Sequence, residues 1–424
     1  MVLAQLPALP PPPSWFPGHM MKFTRMLPAL LKRTNVVLEI RDSRLPLTSI
    51  NRTLEGALNK WRLERGWDPN NPARRLFSVE ACEHIVVLNK RDLVPEWGLE
   101  ASISAFNSES SSRTCFSSHF EMQWQRSFRT SSFSLLPGSG RGISAILQYP
   151  HAMELNVLVI GMPNVGKSTL LNALRNMGIK GRTPKALQTS ANPGMTRALS
   201  TRLKLSLDPL VYAYDSPGVM LPFLGRGAEG AERGVKLALI AGIKEGLYDM
   251  EALAAYLLYR LNVLNPISPA YLKLLPPGSS PTSDLEEFLT LLARRMGMIR
   301  RGAEVDLARA AVFFVRWWRE EGGLLSAAYS LHLDPRPSTD KNQEMTQTQA
   351  WGFDFQWEVR PEDKSSMDSD PSLYLQEKME QCIDQYVAQT ARDDTEEANV
   401  SETQIKKKAM LEEKERRRLR YTKR

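Results

Sequence analysis

The stretch Gly161-Met-Pro-Asn-Val-Gly-Lys-Ser-Thr169 decides the fold of this 424-residue chain. It fits the pattern G-x-x-x-x-G-K-[ST], whose glycines let backbone N–H groups surround phosphate oxygens. The apolar run NVLVIG leads into it, and STLLNALRN continues from it with helical spacing. A strand, a glycine-rich loop and a helix in this order predict a nucleotide phosphate-binding loop, whereas an incidental glycine-rich turn needs neither neighbour.

The side chains of this loop have separate predicted roles. Lys167, a predicted catalytic residue, is expected to reach the β- and γ-phosphate oxygens, and the Ser168 hydroxyl is expected to ligate Mg2+. We predict that six consecutive residues bind the nucleotide: Asn164, Val165, Gly166, Lys167, Ser168 and Thr169.

Two downstream motifs complete the predicted phosphate and metal site. In Asp215-Ser-Pro-Gly218, which follows the apolar run VYAY, the Asp215 carboxylate can hold Mg2+ through water and the Gly218 N–H can meet the γ-phosphate. In the stretch NPGMTR, the Thr196 hydroxyl can ligate Mg2+. Without a phosphate loop upstream, these motifs would be an ordinary turn and a surface threonine.

A third motif, Asn89-Lys90-Arg91-Asp92, follows the apolar strand-like run HIVVL and predicts the choice of base. The Asp92 carboxylate can accept the N1–H and N2–H donors of guanine, which adenine lacks, while Asn89 and Lys90 brace the loop. The motif therefore predicts GTP and GDP as ligands and disfavours a P-loop kinase or ATPase.

The base-reading motif precedes the phosphate loop, which is the reverse of the order in an ordinary GTPase. Circular permutation explains the reversal, because chain termini lie at the surface and can be joined while the chain opens elsewhere. Here the opening falls just after the Asp215 motif. The switch segment therefore leads directly into the helical patterns downstream, and nucleotide state can act on those helices through a short connection.

Alternating strand and helix patterns predict an α/β fold: a circularly permuted P-loop GTPase domain with a mostly parallel sheet and helices on both faces, followed by a smaller all-α domain. The predicted segments are a Pro-rich start (1–13), the GTPase domain (14–230), the helical domain (234–330) and a polar tail (334–424). We expect the tail to be disordered or to end in a lone basic helix. Within the GTPase domain, the Ser-rich stretch 102–136 has no clean periodicity and is either an insertion or a mis-spliced segment.

The composition restricts the partners of the chain. A net charge of +8 and a pI of about 9.3 favour an acidic partner, either RNA or an anionic membrane surface. The three scattered cysteines suggest neither a zinc site nor a disulfide framework. No stretch is long and apolar enough to predict a transmembrane helix. The first residues lack acids but also lack the arginines of a mitochondrial presequence, so they are a weak targeting signal.

Taken in order, WFPGHMMK, DSRLP, NKRD, GMPNVGKST, PGMT and DSPG resemble the circularly permuted GTPases of the YlqF family, over roughly residues 14–325. The resemblance implies hydrolysis of GTP to GDP and phosphate, with Mg2+, coupled to assembly of the large ribosomal subunit on its rRNA. For a eukaryotic member it implies the mitochondrion, on the matrix side of the inner membrane with peripheral membrane contact. We expect a monomer.

The resemblance also bears on catalysis. Many GTPases have a glutamine directly after the DxxG glycine to orient the attacking water, but Val219 stands here and cannot do so. The resemblance points instead to His19 in FPGHM, as a catalytic residue on a mobile N-terminal segment; the alternative is a turn histidine held by its neighbours. Asn164 resembles the asparagine of K+-activated GTPases, or it is simply a good loop residue.

Two further expectations concern the partner and the base. Basic residues in KLLPP, RRMGMIRR and the terminal KKKAMLEEKERRRLRYTKR are candidates for rRNA phosphate contacts, although a solvated helix face is the simpler interpretation for each. The Ser-Ala loop that supports guanine O6 in the family is replaced here by GSGRGI, at 138–143. This departure and Val219 leave open an alternative function, a nucleotide-dependent rRNA clamp with little or no GTP turnover.

Overall fold

The computed structural model describes most of the chain in separate ranges. These are 5–13, 15–68, 82–109, 113–117, 154–179, 181, 187, 199–200, 202–207, 210–225, 227–329, 347–360, 363, 367, 369–395, 409–410 and 413. Thr196, the Ser-rich residues 118–136, the GSGRGI stretch and nearly all of the terminal basic stretch lie outside them.

A six-stranded sheet forms the centre of the molecule, in the order β3-β2-β1-β4-β6-β5. The strands are β1 (Val36–Asp42), β2 (Glu83–Asn89), β3 (Arg113–Phe116), β4 (Leu155–Gly161), β5 (Leu203–Leu207) and β6 (Leu210–Asp215). All neighbouring strands are parallel except β5, which runs antiparallel to β6. The mostly parallel sheet predicted from the alternating pattern is confirmed.

Apolar side chains cover both faces of the sheet. Alternate residues of the central strands, such as Leu38 and Val159, belong to a core shared with helix α4 (Lys167–Gly178). On the opposite face, Val37 and Leu158 pack with helices α1 (Gly18–Leu31) and α2 (Arg52–Glu64). Because side chains alternate along a strand, the burial of every β1 residue and of nearly every β4 residue requires cover on both faces of the sheet.

A run of helices follows the Asp215 motif. It comprises α5 (Gly227–Leu239), α6 (Met250–Leu264), α7 (Leu285–Arg295), α8 (Leu307–Trp317) and α9 (Gly323–Ala327). Aspartates cap three N-termini by accepting backbone N–H bonds, namely Asp249, Asp284 and Asp306. The boundary predicted between 230 and 234 falls inside α5, and the helical residues share one core with the sheet. Trp318 is buried in this shared core.

The tail predicted to be disordered is folded at 347–360 and at Pro371–Thr395. Strands β7 (Gln347–Trp351) and β8 (Phe355–Val359) form an antiparallel hairpin, and α10 (Pro371–Thr395) follows. The prediction was wrong because the acidic average composition hid local apolar patterns. Residues at helical spacing in α10 bury one stripe, among them Leu375, Met379 and Ile383.

The Ser-rich stretch is also partly regular. Helix α3 (Leu99–Glu109) and strand β3 occupy its first part. The hydroxyls of Ser102 and Ser108 donate to helix carbonyls three residues earlier, at Leu99 and Ala105. Serine is a weak helix former because its hydroxyl competes for backbone groups, so composition alone did not predict this helix.

Candidate nucleotide-binding site

The sheet brings the separated motifs to one edge. Strand β1 lies between β2, which ends at Asn89, and β4, which ends at Gly161, while β6 ends at Asp215 on the far side of β4. Since these four strands are parallel, their carboxyl ends meet at the same edge, where open α/β sheets bind ligands. The reversed chain order therefore has no effect on the assembled site.

The phosphate loop needs its glycines. Gly161 has φ +144°, and a Cβ there would lie 2.3 Å from the Ile40 carbonyl oxygen. Gly166 has φ +91°, and a Cβ there would lie 2.3 Å from the Asn89 amide nitrogen. A Cβ on Gly218 would lie 2.6 Å from the Pro163 backbone. The loop, the guanine motif and the switch motif are thus packed against one another too closely for side chains.

Lys167 is buried, and its ammonium group donates to the carbonyls of Met162 (2.7 Å) and Gly161 (3.2 Å). Burial lowers the pKa of Lys167 to about 8, and the nearby Asp215 carboxylate opposes that shift. The side chain is therefore folded onto its own loop, within the ring of backbone groups expected to surround the phosphates.

Ser168 and Asp215, predicted from separate motifs to bind Mg2+, lie in direct contact. The Ser168 hydroxyl donates to Asp215 Oδ2 at 2.6 Å. Asp215 Oδ1 is buried and finds no hydrogen-bond partner among the residues that the structure describes. Burial raises the pKa of Asp215, and the Ser168 bond and Lys167 oppose the shift. A hydroxyl beside a carboxylate with an unused oxygen is a donor set that fits Mg2+.

Two hydrogen bonds join the guanine motif to the phosphate loop. The Asn89 amide donates to the Val165 carbonyl (2.8 Å), and the Lys90 ammonium donates to the Asn164 carbonyl (2.7 Å). Lys90 adopts the left-handed backbone conformation with φ 59°, which turns the chain into the short 3-10 helix Arg91–Leu93. Asp92 lies in that turn and is exposed, so its carboxylate is accessible to a base.

The sequence motifs did not predict a role for Asp42, which was recognised only as the first residue of DSRLP. The β1–β2 register sets Asp42 opposite Asn89. Asp42 is fully buried, 3.1 Å from Lys90 Nζ, and accepts two bonds from the Arg44 guanidinium at 2.8 and 2.9 Å. Arg44 and Lys90 together hold the pKa of Asp42 well below its usual range. Asp42 therefore holds the side chain of Lys90, the second residue of the guanine motif, in place.

Val219 is buried in the apolar cluster that contains Phe23 and Leu27 of α1. Its N–H donates to the Gly161 carbonyl at 3.1 Å, so its backbone follows the phosphate loop while its side chain is committed to the core. The same cluster fixes α1 against the switch motif. His19 lies in the first turn of α1, beside the fully buried Met20.

Asn164 connects the phosphate loop to the helical region. Its amide nitrogen donates to the Ile240 carbonyl (3.0 Å), directly after α5. Arg319 donates to two neighbouring carbonyls, Ala238 and Leu239, each at 2.8 Å. The amide oxygen of Asn164 is the atom of this side chain suited to a cation such as K+. Thr169, the last predicted loop residue, lies in the first turn of α4.

Comparisons with known proteins agree on one family. Residues 156–259 match the family described as "50S ribosome-binding GTPase". The chain is 30% identical to mitochondrial ribosome-associated GTPase 1 of Xenopus tropicalis, over 68% of this chain and 81% of that one. It is 31% identical to mitochondrial GTPase 1 of Schizosaccharomyces japonicus, over 72% of this chain and 87% of that one.

Among solved structures, the chain is similar to "GNP-bound YlqF from T. maritima". That match has a TM-score of 0.41 and 18% identity, and it covers 72% of this chain and 95% of the other. With the ordered motifs assembled at one sheet edge and two relatives matched over most of their length, the chain belongs to the mitochondrial ribosome-associated GTPase 1 family.

Proposed function

We propose that this chain hydrolyses GTP to GDP and phosphate as a switch in the assembly of the mitochondrial large ribosomal subunit. The observation that carries the proposal is the direct bonding of Asn89 and Lys90 to the phosphate loop. This contact joins a guanine-reading motif to a phosphate site. Relatives named as mitochondrial GTPases, and as ribosome-associated ones, support both the reaction and the compartment. They favour turnover over the alternative of a clamp that does not hydrolyse GTP.

In this proposal Asp92 selects guanine, while Lys167 and the backbone from Asn164 to Thr169 hold the phosphates. Ser168, Asp215 and Thr196 would hold Mg2+, which neutralises charge on the phosphate oxygens when it is bound. The Gly218 N–H would meet the γ-phosphate once the switch segment closes.

His19 is our proposal for the group that orients the attacking water, because Val219 cannot and because α1 packs on the cluster that contains Val219. A K+ ion ligated by Asn164 would supply further positive charge. We expect His19→Ala to lower subunit-stimulated turnover by about a hundredfold and to leave the GDP Kd unchanged. Turnover is measured by phosphate release in K+ and then Na+ buffer, and the wild type should be slower in Na+.

The matched control is Met26→Ala, which truncates a partly exposed side chain on the same helix. Its stimulated turnover should equal that of the wild type. Unchanged stimulated turnover in His19→Ala would remove His19 from the catalytic site and send the search to residues supplied by the ribosome.

The helical region offers a surface for rRNA. Arg294, Arg301 and Lys273 are exposed, and Arg295 donates to the Lys273 carbonyl at 3.0 Å, so KLLPP and RRMGMIRR form one basic patch. Contacts of such a patch to phosphates position a protein without reading sequence. We further propose a monomer on the matrix side of the inner membrane with peripheral contact. No described helix is long and apolar enough to cross the membrane.

The ribosome proposal is tested by sedimentation with mitochondrial large subunits. The chain should sediment with them in a non-hydrolysable GTP analogue, dissociate in GDP and bind more weakly as salt rises. Arg301→Glu should weaken binding several-fold, whereas Asp384→Asn on the exposed side of α10 should not. Equal sedimentation in both nucleotides would contradict a GTP switch.

A further inference from the structure

The tip of the C-terminal hairpin, Gly352-Phe353-Asp354, is inserted beside the nucleotide site. Phe353 is buried, and its N–H donates to the Arg44 carbonyl at 2.9 Å. Gly352 has φ +58°, and a Cβ there would lie 3.0 Å from the same carbonyl. A side chain at position 352 would therefore be strained by the positive φ and would be in tight contact with the DSRLP loop.

Asp354 organises the loop that follows DSRLP. Its Oδ2 accepts the N–H groups of Leu47 and Thr48, both at 2.8 Å, and its Oδ1 accepts the Thr48 hydroxyl at 2.6 Å. A carboxylate that receives two backbone N–H bonds fixes the backbone that donates them. The ammonium of Lys236, on α5, lies 3.4 Å from Oδ1.

Side-chain contacts connect the loop held by Asp354 to the guanine motif. Arg44 forms two side-chain bonds to Asp42. Asp42 contacts Lys90, and Lys90 donates to the Asn164 carbonyl of the phosphate loop. A second connection comes from Trp351, whose indole N–H donates to the Pro95 carbonyl at 2.9 Å, three residues after Asp92. The hairpin is thus linked to the guanine motif by two separate sets of contacts.

The hairpin tip also contacts the helical region. Arg260 of α6 is fully buried and donates to the Gly352 carbonyl at 2.9 Å. The Phe353 ring stacks on Trp318 with centroids 5.2 Å apart. The tip therefore lies between the guanine motif and the helices that follow the switch segment.

We propose that Asp354 is a positioning residue for guanine recognition, which acts through the loop at 44–48 on Asp42 and Lys90. The C-terminal hairpin is then a working part of the nucleotide site. Asp354 does not contact the base itself; it restricts the set of positions that the Asp92 turn adopts. The inference rests on the proposed binding of guanine nucleotides.

The test is Asp354→Ala, with Kd values for GDP and for IDP, whose base lacks the exocyclic N2 amino group. Asp92 can bond both N1–H and N2–H of guanine but only N1–H of hypoxanthine. Loosening the Asp92 turn should weaken GDP binding by about tenfold, and the preference for GDP over IDP should fall several-fold. If Asp354 served only to stabilise the fold, Asp354→Ala would lower the fraction of protein that binds either nucleotide. The ratio of the Kd values for GDP and IDP would then stay unchanged.

Asp363→Ala is the matched control, because Asp363 lies in the same C-terminal segment and bonds Lys378 (3.0 Å) and the Arg360 N–H (2.9 Å). It should leave both Kd values unchanged. If Asp354→Ala does not fold, Asp354→Asn serves instead, since one amide oxygen can still accept both N–H groups. The preference of Asp354→Asn for GDP over IDP should be weaker than that of the wild type but not abolished.

The outcomes separate this inference from the proposed function. A wild type that does not bind GDP refutes the function. A wild type that binds GDP, with an unchanged preference in Asp354→Ala or Asp354→Asn, overturns the positioning role and leaves the function standing.

Discussion

Asp92→Asn is expected to weaken GDP binding by about a hundredfold and to give the protein a preference for xanthosine diphosphate. The carboxylate accepts two guanine donors, N1–H and N2–H. An asparagine amide keeps one acceptor but places an N–H donor against the N2 amino group. Xanthine carries a carbonyl at C2, which accepts that donor. Binding of fluorescent GDP, with competition by xanthosine diphosphate, measures both effects.

The control is Asp384→Asn, which makes the same charge change on an exposed face of α10. Its GDP affinity should match that of the wild type. GDP affinity that survives in Asp92→Asn would mean that the exposed turn at Arg91–Leu93 does not read the base, and the guanine assignment would fall.

Trp351→Ala is expected to lower the free energy of unfolding by about 3–5 kcal/mol, since truncation of a buried tryptophan leaves a large cavity. Trp351 is fully buried in the cluster formed by β2, α3, the hairpin and α10. Its loss also leaves the Pro95 carbonyl without the indole donor. The adjoining Gly98 has no room for a Cβ, which would lie 2.4 Å from the indole ring. Urea unfolding followed by fluorescence gives the free energy.

Val387→Ala, on the exposed side of α10, provides the comparison because its side chain is 55% exposed. Its free energy of unfolding should change little. A Trp351→Ala protein as stable as the wild type would show that the hairpin is not part of the folded core, and would remove the basis for a role of Asp354.

The phosphate and guanine motifs could be predicted because their chemistry is local. A glycine with positive φ, a lysine at a phosphate and a carboxylate for guanine are each specified by a few adjacent residues. The meeting of Ser168 with Asp215 followed from the strand–loop–helix context. The structure brings these predicted residues together, and their functional roles remain predictions.

Asp42 and the hairpin could not be predicted in the same way. Asp42 acquires its role from the β1–β2 register, which sets it opposite Asn89, and pairing of separate strands is not written in either strand alone. Trp351, Phe355 and Trp357 alternate with polar residues, a strand signal that was present in the sequence. It was outweighed by the acidic composition of the surrounding tail. For Val219 the sequence indicated only that it cannot orient water, and the fold shows that its side chain is part of the core.

We propose that the ribosomal subunit which this GTPase helps to assemble controls its GTP turnover. The most direct test is GTP turnover by the purified chain in K+ buffer, with and without mitochondrial large ribosomal subunits. The account predicts slow turnover alone, since Val219 cannot orient water, and strong stimulation by the subunits. Tight GTP binding with a turnover rate that the subunits do not change would contradict it and leave a nucleotide-dependent clamp.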